Sequence, residues 1–424
     1  MAQTTAAAVA RSPGGPDTRN GAVLVVVCVA NFLVLADATI VNVALPTIRG
    51  ALHLSPLGLP WVVNSYTFAF GALLLLGGYA ADRLGPRRVF TAGMVVFALG
   101  SVVCGLAGSS TVLVAGRMVQ GAGGAFGCPA ALSVITLAYP AAAEHARALA
   151  GWSAAGAGAI ALGPMIGGVL TGLFGWSAVF LVPVPLCLGA AVAGWRLLPD
   201  GASAGRSRAV HRHGPPGRLS LGSLAGADTV LALTSAALVA VGYTSTLWVQ
   251  TILHCGPVQA GLAFLPLSGG ILLGAGAAPG LIRRFGLRAT AFGGLVVAVA
   301  GLAPLSRLPA GAGLPQLLPW LGLLALGFGV QSVPVSVVAT TVPGHEAVAS
   351  AVYQTAGQLG GGIGLALLSG LAAGRTAGSH AAGNAALATG YDAAFGGGAV
   401  ALALAALVAV VMLRPAGPSL TDHH

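Results

Sequence analysis

The pentad Arg83-Leu84-Gly85-Pro86-Arg87 follows an apolar run at 57–80, and Arg284-Phe285-Gly286-Leu287-Arg288 follows another at 257–282. One R-x-G-x-R match says little. Two of them, each after the second apolar run of a set of six, predict a chain built from two parallel repeats. Outward from these marks, the first set of runs reads 21–45, 57–80, 89–108, 111–138, 148–173 and 176–198. The second reads 224–251, 257–282, 287–305, 315–338, 345–373 and 393–414. Between them, 199–223 holds Arg206, Arg208, Arg212 and Arg218 with His211 and His213, a composition that cannot bury a core and reads as a linker. About twenty apolar residues rising ~1.5 Å each cross a hydrocarbon core of roughly 30 Å, so each run is a candidate span. The expected fold class is an all-α membrane protein of twelve transmembrane helices in two six-helix bundles. Its expected divisions are an N-terminal tail (1–20), a first bundle (21–198), the linker (199–223), a second bundle (224–414) and a C-terminal tail (415–424).

Composition agrees with that reading. Of 424 residues, 56% are hydrophobic and 7% charged, where a soluble domain carries about 25% charged residues. Mean hydropathy is +0.90. The basic residues are all arginine, which with the abundant Ala, Gly and Pro suggests a GC-rich bacterial coding bias. A net charge of +10 invites thoughts of nucleic acid, but the arginines sit in short loops and form no continuous basic face. They report topology instead. With the N-terminus in the cytoplasm, fifteen arginines fall on the inner side: Arg11, Arg19, Arg83, Arg87, Arg88, Arg147, Arg196, the four of the linker, Arg283, Arg284, Arg288 and Arg414. Three, Arg49, Arg307 and Arg375, fall outside. This asymmetry predicts an even number of spans in a bacterial inner membrane, with both termini cytoplasmic. The first twenty residues are too polar for a signal peptide, so the first run is expected to remain as a span.

Ionisable groups inside the runs are scarce, which makes each informative. Asp37 lies in the first run. A carboxylate at that depth costs several kcal/mol to keep charged, so proton uptake is the functional expectation; a packing aspartate satisfied by neighbouring hydroxyls is the plain alternative. Arg117 lies six residues into the fourth run, with Gln120 and Gly121 after it. Counting from the outer ends of their runs puts Asp37 and Arg117 at a similar depth, roughly 9 to 12 Å in, close enough for a fixed cation to sense the carboxylate. A snorkelling arginine is the alternative. The fifth run carries Gly163, Pro164, Gly167 and Gly168; small residues four apart admit a close neighbour, and the proline permits a bend. Asp82, Arg83, Gly85, Arg87 and Arg88 form a charged turn whose ions can pair in one conformation and part in another, or simply be solvated. Asn42, Asn64, Tyr66, Gln120 and Gln250 are candidates to line a substrate cavity, although the aromatics fit core packing equally well.

No catalytic or cofactor constellation appears. Cys28, Cys104, Cys128, Cys187 and Cys255 are scattered without C-x-x-C spacing and read as apolar thiols. The histidines fall in loops or tails, giving no metal pair of the H-E-x-x-H kind. A phosphate loop of the G-x-x-x-x-G-K-[ST] kind needs a lysine, and the chain has none. No enzyme activity, metal or cofactor is expected.

Several motifs together carry a family resemblance. They are Asp37-Ala38-Thr39-Ile40-Val41-Asn42-Val43-Ala44-Leu45-Pro46-Thr47-Ile48, Trp61-Val62-Val63-Asn64-Ser65-Tyr66, and Gly78-Tyr79-Ala80-Ala81-Asp82-Arg83-Leu84-Gly85-Pro86-Arg87-Arg88. Further on stand Arg117-Met118-Val119-Gln120-Gly121, Gly163-Pro164-Met165-Ile166-Gly167-Gly168, Gln259-Ala260-Gly261-Leu262-Ala263-Phe264-Leu265-Pro266 and Gln358-Leu359-Gly360-Gly361. With these the chain resembles the major facilitator superfamily, and within it the drug:proton antiporters of the fourteen-helix subfamily. The stretch 199–223 is too short to supply that subfamily's two central helices, which leaves a twelve-helix core. The resemblance implies proton-coupled efflux of small amphipathic organic compounds such as drugs or antibiotics. Asp37 and Arg117 would serve coupling, Gly163 to Gly168 the bending interface of exporters, and the Asp82 turn a cytoplasmic gate. The implied partners are the substrate, protons and the lipid bilayer, with no nucleic acid, and the unit is a monomer driven by the proton motive force. An importer, an uncoupled facilitator or a transport-inactive sensor remain the alternatives.

Overall fold

The computed structural model describes residues 16–198, 221–340 and 346–413, and among them every regular element is helical. The first half holds α1 (Pro16–Leu52), α2 (Trp61–Leu84), α3 (Pro86–Gly105), α4 (Ser110–Ala138), α5 (Ala142–Phe174) and α6 (Trp176–Leu197, bent at Pro183). In the second half α7 (Leu221–Leu247) runs on through a π-helical turn, Trp248–Ile252. A 51-residue stretch, Pro257–Arg307, follows. It doubles back at Gly286 into α8 (257–285) and α9 (287–302). Then come α10 (Leu314–Thr340), α11 (Glu346–Ala377) and α12 (Asn384–Met412). Eleven helical stretches are long and apolar enough to cross a membrane; with the reversal at Gly286 they make twelve crossings.

The two pentads quoted above are the same turn used twice. Gly85 (φ 91°) reverses the chain between α2 and α3, and Gly286 (φ 83°) does so between α8 and α9. Only glycine takes such values without strain. Packing repeats with a shift of six: α1 lies on α5 as α7 lies on α11, α2 on α4 as α8 on α10, and α3 on α4 and α6 as α9 on α10 and α12. Lipid offers little hydrophobic drive for one helix to leave it for another, so close backbone approach through small residues holds the bundles together. The halves meet along α2 with α11, and along α5 with the start of α8.

Several boundaries differ from the sequence reading: α1 begins at Pro16 rather than 21, α2 spans Trp61–Leu84 rather than 57–80, α5 begins at Ala142 rather than 148, and α12 begins at Asn384 rather than 393. The first helix continues through Pro46 to Leu52 rather than ending at 45. Proline there leaves only the Asn42 carbonyl without its helical donor, and full burial of Val43, Ala44, Leu45 and Ile48 holds the helix together across it. The last three positions of the expected linker, 221–223, already belong to α7; the rest of it, with its four arginines, lies outside the described residues, as do Arg11 and Arg414.

Alternation of the helices gathers the α2–α3 and α8–α9 turns on one face, with Arg83, Arg87, Arg88, Arg147, Arg196, Arg283, Arg284 and Arg288. The opposite face carries Arg49, Arg307 and Arg375.

Candidate functional site

Asp37 on α1 and Arg117 on α4 are 1% and 0% exposed and form an ion pair inside the first half. The Arg117 guanidinium donates to the Asp37 carboxylate. Its Nε donates to the Val62 carbonyl (2.9 Å), and Nη1 also reaches Gln120 Oε1 (3.0 Å). Gln120, fully buried, donates from Nε2 to Asp37 Oδ1 (3.1 Å) and to Ser101 Oγ (2.7 Å), while the Cys104 thiol approaches its oxygen at 3.3 Å. The Tyr66 ring lies 4.3 Å from the guanidinium carbon and the Phe180 ring 5.8 Å. Two ring faces thus take up part of a charge that water cannot reach. A buried pair of this kind does little for net stability, because desolvation offsets the attraction. The contact itself sets the common depth of Asp37 and Arg117, since α1 extends seven residues beyond the end from which that depth was counted.

Among the described residues the second half has no such network. Gly100 of α3 faces Gln120 of α4, and Gly301 of α9 faces Leu324 of α10 in the same way. Leu324 therefore stands where Gln120 does, and Leu321, one turn earlier, stands where Arg117 does. Both leucines are 1% exposed.

Between the halves, a cavity of about 420 Å³ is walled by α1, α2, α4 and α5 and by α11 of the second half. Phe70 and Trp152 supply aromatic surface, Asn31, Gln354 and Gln358 supply amides, and Asp82 stands at its arginine-rich end. Asn31 is fixed by donating to the Trp152 carbonyl (3.0 Å). Phe70 stacks on Tyr66 (centroids 5.9 Å apart), so this aromatic pair separates the cavity from the ion pair.

None of the five residues expected to line a cavity lies on this wall. Asn42 donates back to Ala38 (3.3 Å), and Asn64 is buried with both polar atoms unpartnered. Tyr66 covers Arg117 and donates to the Val34 carbonyl (2.9 Å); Gln120 belongs to the ion-pair network. Gln250, in the π-helical turn, donates to Val43 (2.8 Å) and ties the second half to α1. The amides that do line the cavity are ordinary polar residues whose sequence positions give no hint of their direction.

At the arginine-rich face Asp82 is exposed, with no ion pair among the described residues. Arg83 lies over Tyr79 (5.2 Å) and Arg87 over Trp195 of α6 (4.4 Å); Arg88 borders a separate pocket beside Leu84 and Phe126. In α5, Gly163 faces Thr39, and a Cβ on Gly167 would lie 2.5 Å from the Ile40 carbonyl oxygen, so this stretch packs closely on α1. Its other side meets the second half. A Cβ on Gly168 would lie 2.5 Å from the Pro257 oxygen, and one on Gly261 of α8 would lie 2.5 Å from the Pro164 oxygen. The halves are therefore sealed toward the Arg49 face, and the cavity runs toward the arginine-rich face.

Two intramembrane acids escaped the sequence reading: Asp228 lies within the expected run 224–251 and carries the same signal as Asp37, whereas Asp392 stands one position before the expected run at 393 and enters a span only because α12 begins at Asn384. Asp228 of α7 lies near Tyr353 of α11, and Asp392 of α12 lies beside the backbone N–H of Leu308 with its Oδ1 buried and unpartnered. Among the described residues no group of His, Cys, Asp and Glu side chains has metal-site geometry.

A sequence profile described as the Major Facilitator Superfamily matches residues 27–365. The chain belongs to the major facilitator superfamily. This facilitator is 33% identical over 414 residues to the puromycin resistance protein pur8 of Streptomyces alboniger, covering 84% of this chain and 82% of that one. It is 33% identical over 457 aligned positions to the cephamycin export protein CmcT of Amycolatopsis lactamdurans, covering 94% and 92%. Solved structures share the fold. A bacterial homologue of the human lysosomal transporter Spinster superposes with a TM-score of 0.76 at 17% identity, over 94% of this chain and 98% of that one. A D-xylose–proton symporter does so with 0.72 at 15%, over 93% and 98%. The facilitator is thus a multi-pass membrane protein and a secondary transporter of small organic molecules, not an enzyme.

Proposed function

We propose that this facilitator is a proton-driven exporter of amphipathic organic compounds, related to the fourteen-helix drug antiporters without their central helix pair. The observation that carries the reading is the sealed Asp37–Arg117–Gln120 network, one aromatic pair away from the cavity. The arginine-rich face is assigned to the cytoplasm by the positive-inside bias, which puts both termini there. Substrate enters the cavity from that side, against Phe70 and Trp152, with Asn31, Gln354 and Gln358 offering hydrogen bonds. Rocking of the halves closes the Asp82 end and parts α5 from α8. A proton arriving from outside neutralises Asp37, which dissolves the ion pair and leaves Arg117 to Val62, Gln120 and the ring faces. Re-forming the pair requires the proton to leave inward. One charge crossing about 100 mV supplies roughly 2.3 kcal/mol, enough for about fifty-fold accumulation. The monomer is the working unit, because network and cavity are both built within one chain. The names of its relatives, resistance and export proteins, favour the outward direction.

The test is Asp37→Asn in inverted vesicles, with dye uptake and lumen pH recorded together. The variant should be present at wild-type levels and show no proton-linked dye movement. Uptake and proton release at wild-type rates would remove Asp37 from the mechanism.

A further inference from the structure

A second pocket, about 550 Å³, lies at the face opposite the arginine-rich one and straddles the two halves. The first half contributes Arg49 at the end of α1 and the loop from Ser55 to Leu59. The second contributes Tyr243 and Leu247 of α7, Ser369, Ala373, Thr376 and Ala377 of α11, and Tyr391 of α12. Apart from Arg49 the lining carries no charge. Arg49 is half-buried, and among the described residues no carboxylate pairs with it. The acid nearest in sequence to this wall, Asp392, lies beside the backbone N–H of Leu308 with its Oδ1 buried and unpartnered, and forms no ion pair with Arg49. Tyr243 and Tyr391, 5% and 6% exposed, both lie within electrostatic range of Arg49. Tyr391 is backed by Trp248, with ring centroids 6.1 Å apart. A guanidinium partly withdrawn from water without a counter-ion is costly, and its fork of donors matches a carboxylate or a related oxyanion. Phenols alongside it and an apolar body around it complete a site for an anion with a hydrocarbon or ring portion.

From this we infer that the pocket binds an amphipathic organic anion, a carboxylate or phosphate head at Arg49 with its apolar part between α7 and α11, and that occupancy holds the halves together at this face. The second clause rests on the rocking motion proposed above: the walls come from both halves, so the pocket exists only while this face is closed. A ligand that binds one of two states shifts the balance toward that state. The anion therefore acts as a brake from the far side, slowing the return to the state open there.

Binding is measured without reference to transport, so its outcome stands apart from that of the export reading. The purified full chain is placed in phosphatidylcholine nanodiscs and titrated calorimetrically with decanoate, subtracting empty discs. Decanoate should bind the wild type at least tenfold more tightly than decan-1-ol. Arg49→Gln should lose that tenfold, and Arg49→Lys, which keeps the charge without the fork, should keep part of it, which separates charge from packing. Leu407→Ala, exposed on the outer surface of α12, should leave decanoate binding unchanged. Equal affinity in wild type and Arg49→Gln, equal loss in both Arg49 variants, or loss in Leu407→Ala would overturn the site. Repeating the titration with phosphatidylglycerol in the discs identifies the source of the anion. Competition assigns a lipid head group and its absence a diffusible solute, and either result supports the site. In proteoliposomes, decanoate on the Arg49 side should slow dye transport severalfold in the wild type and not in Arg49→Gln. Equal inhibition of both would overturn the braking role.

Discussion

Substituting Gly168 by alanine puts one methyl group into the seam that closes the Arg49 face. The added carbon would lie 2.5 Å from the Pro257 oxygen, 3.2 Å from its carbonyl carbon and 3.3 Å from Gly261 Cα. An ordinary carbon–oxygen contact needs roughly 3.3 Å, so α5 and α8 must part locally by about 0.8 Å. These are backbone atoms, which cannot swing aside as the end of a side chain does. Overpacking of this kind costs about 1–3 kcal/mol. In the rocking cycle the cost falls only on the conformer in which α5 and α8 touch, so the balance between the two open states should move about 5- to 150-fold toward opening at this face. Pulsed-dipolar distances between spin labels at the α5–α6 and α7–α8 turns, on a background cleared of its five cysteines, report that balance. Gly158→Ala is the control, since its Cβ would meet only Phe32 Cε2 at 4.0 Å. Superimposable distance distributions for the two alanine variants would refute both the tight seam and the rocking assigned to it.

Gln120→Leu copies the residue that the second half uses at the matching position, so it should fold, but it strips donors from Asp37 and Ser101. Thermal unfolding in detergent should show a loss of about 1–2 kcal/mol, and an unchanged midpoint would count against the network geometry. Trp152→Ala should weaken binding of a planar aromatic dye severalfold, about 0.5–1.5 kcal/mol, in equilibrium titration, while an aliphatic solute loses less. Gly85→Ala and Gly286→Ala should each destabilise by about 1–3 kcal/mol, because both turns need φ near +90°; stability unchanged in either would show that the turn relaxes to another conformation. Arg117→Lys keeps a charge but loses the guanidinium fork that serves Asp37, Val62 and Gln120 together. It should retain a small fraction of coupled transport and shift its pH profile, and a wild-type profile would show that charge alone suffices.

The paired glycine turns, the arginine spacing and the long apolar runs determined the all-helical class, the number of crossings and the two-fold repeat. Each of these follows from local composition and chain geometry. Asp37 and Arg117 were legible one at a time, as charges alone in runs that exclude charge, and Asp228 was open to the same argument, while Asp392 fell just outside the expected last run. What the sequence could not decide was direction. A helix that is apolar on all sides carries no phase to say which stripe meets lipid, which a neighbour and which a cavity. Only packing brought Arg117 against Asp37, completed their shell with Gln120, Ser101 and Tyr66, and turned Asn31, Gln354 and Gln358 toward the cavity while Asn42, Asn64 and Gln250 point elsewhere. Only packing set Arg49 among tyrosines of the other half. These contacts join residues on different helices, and their geometry is fixed by how closely glycine lets the backbones approach.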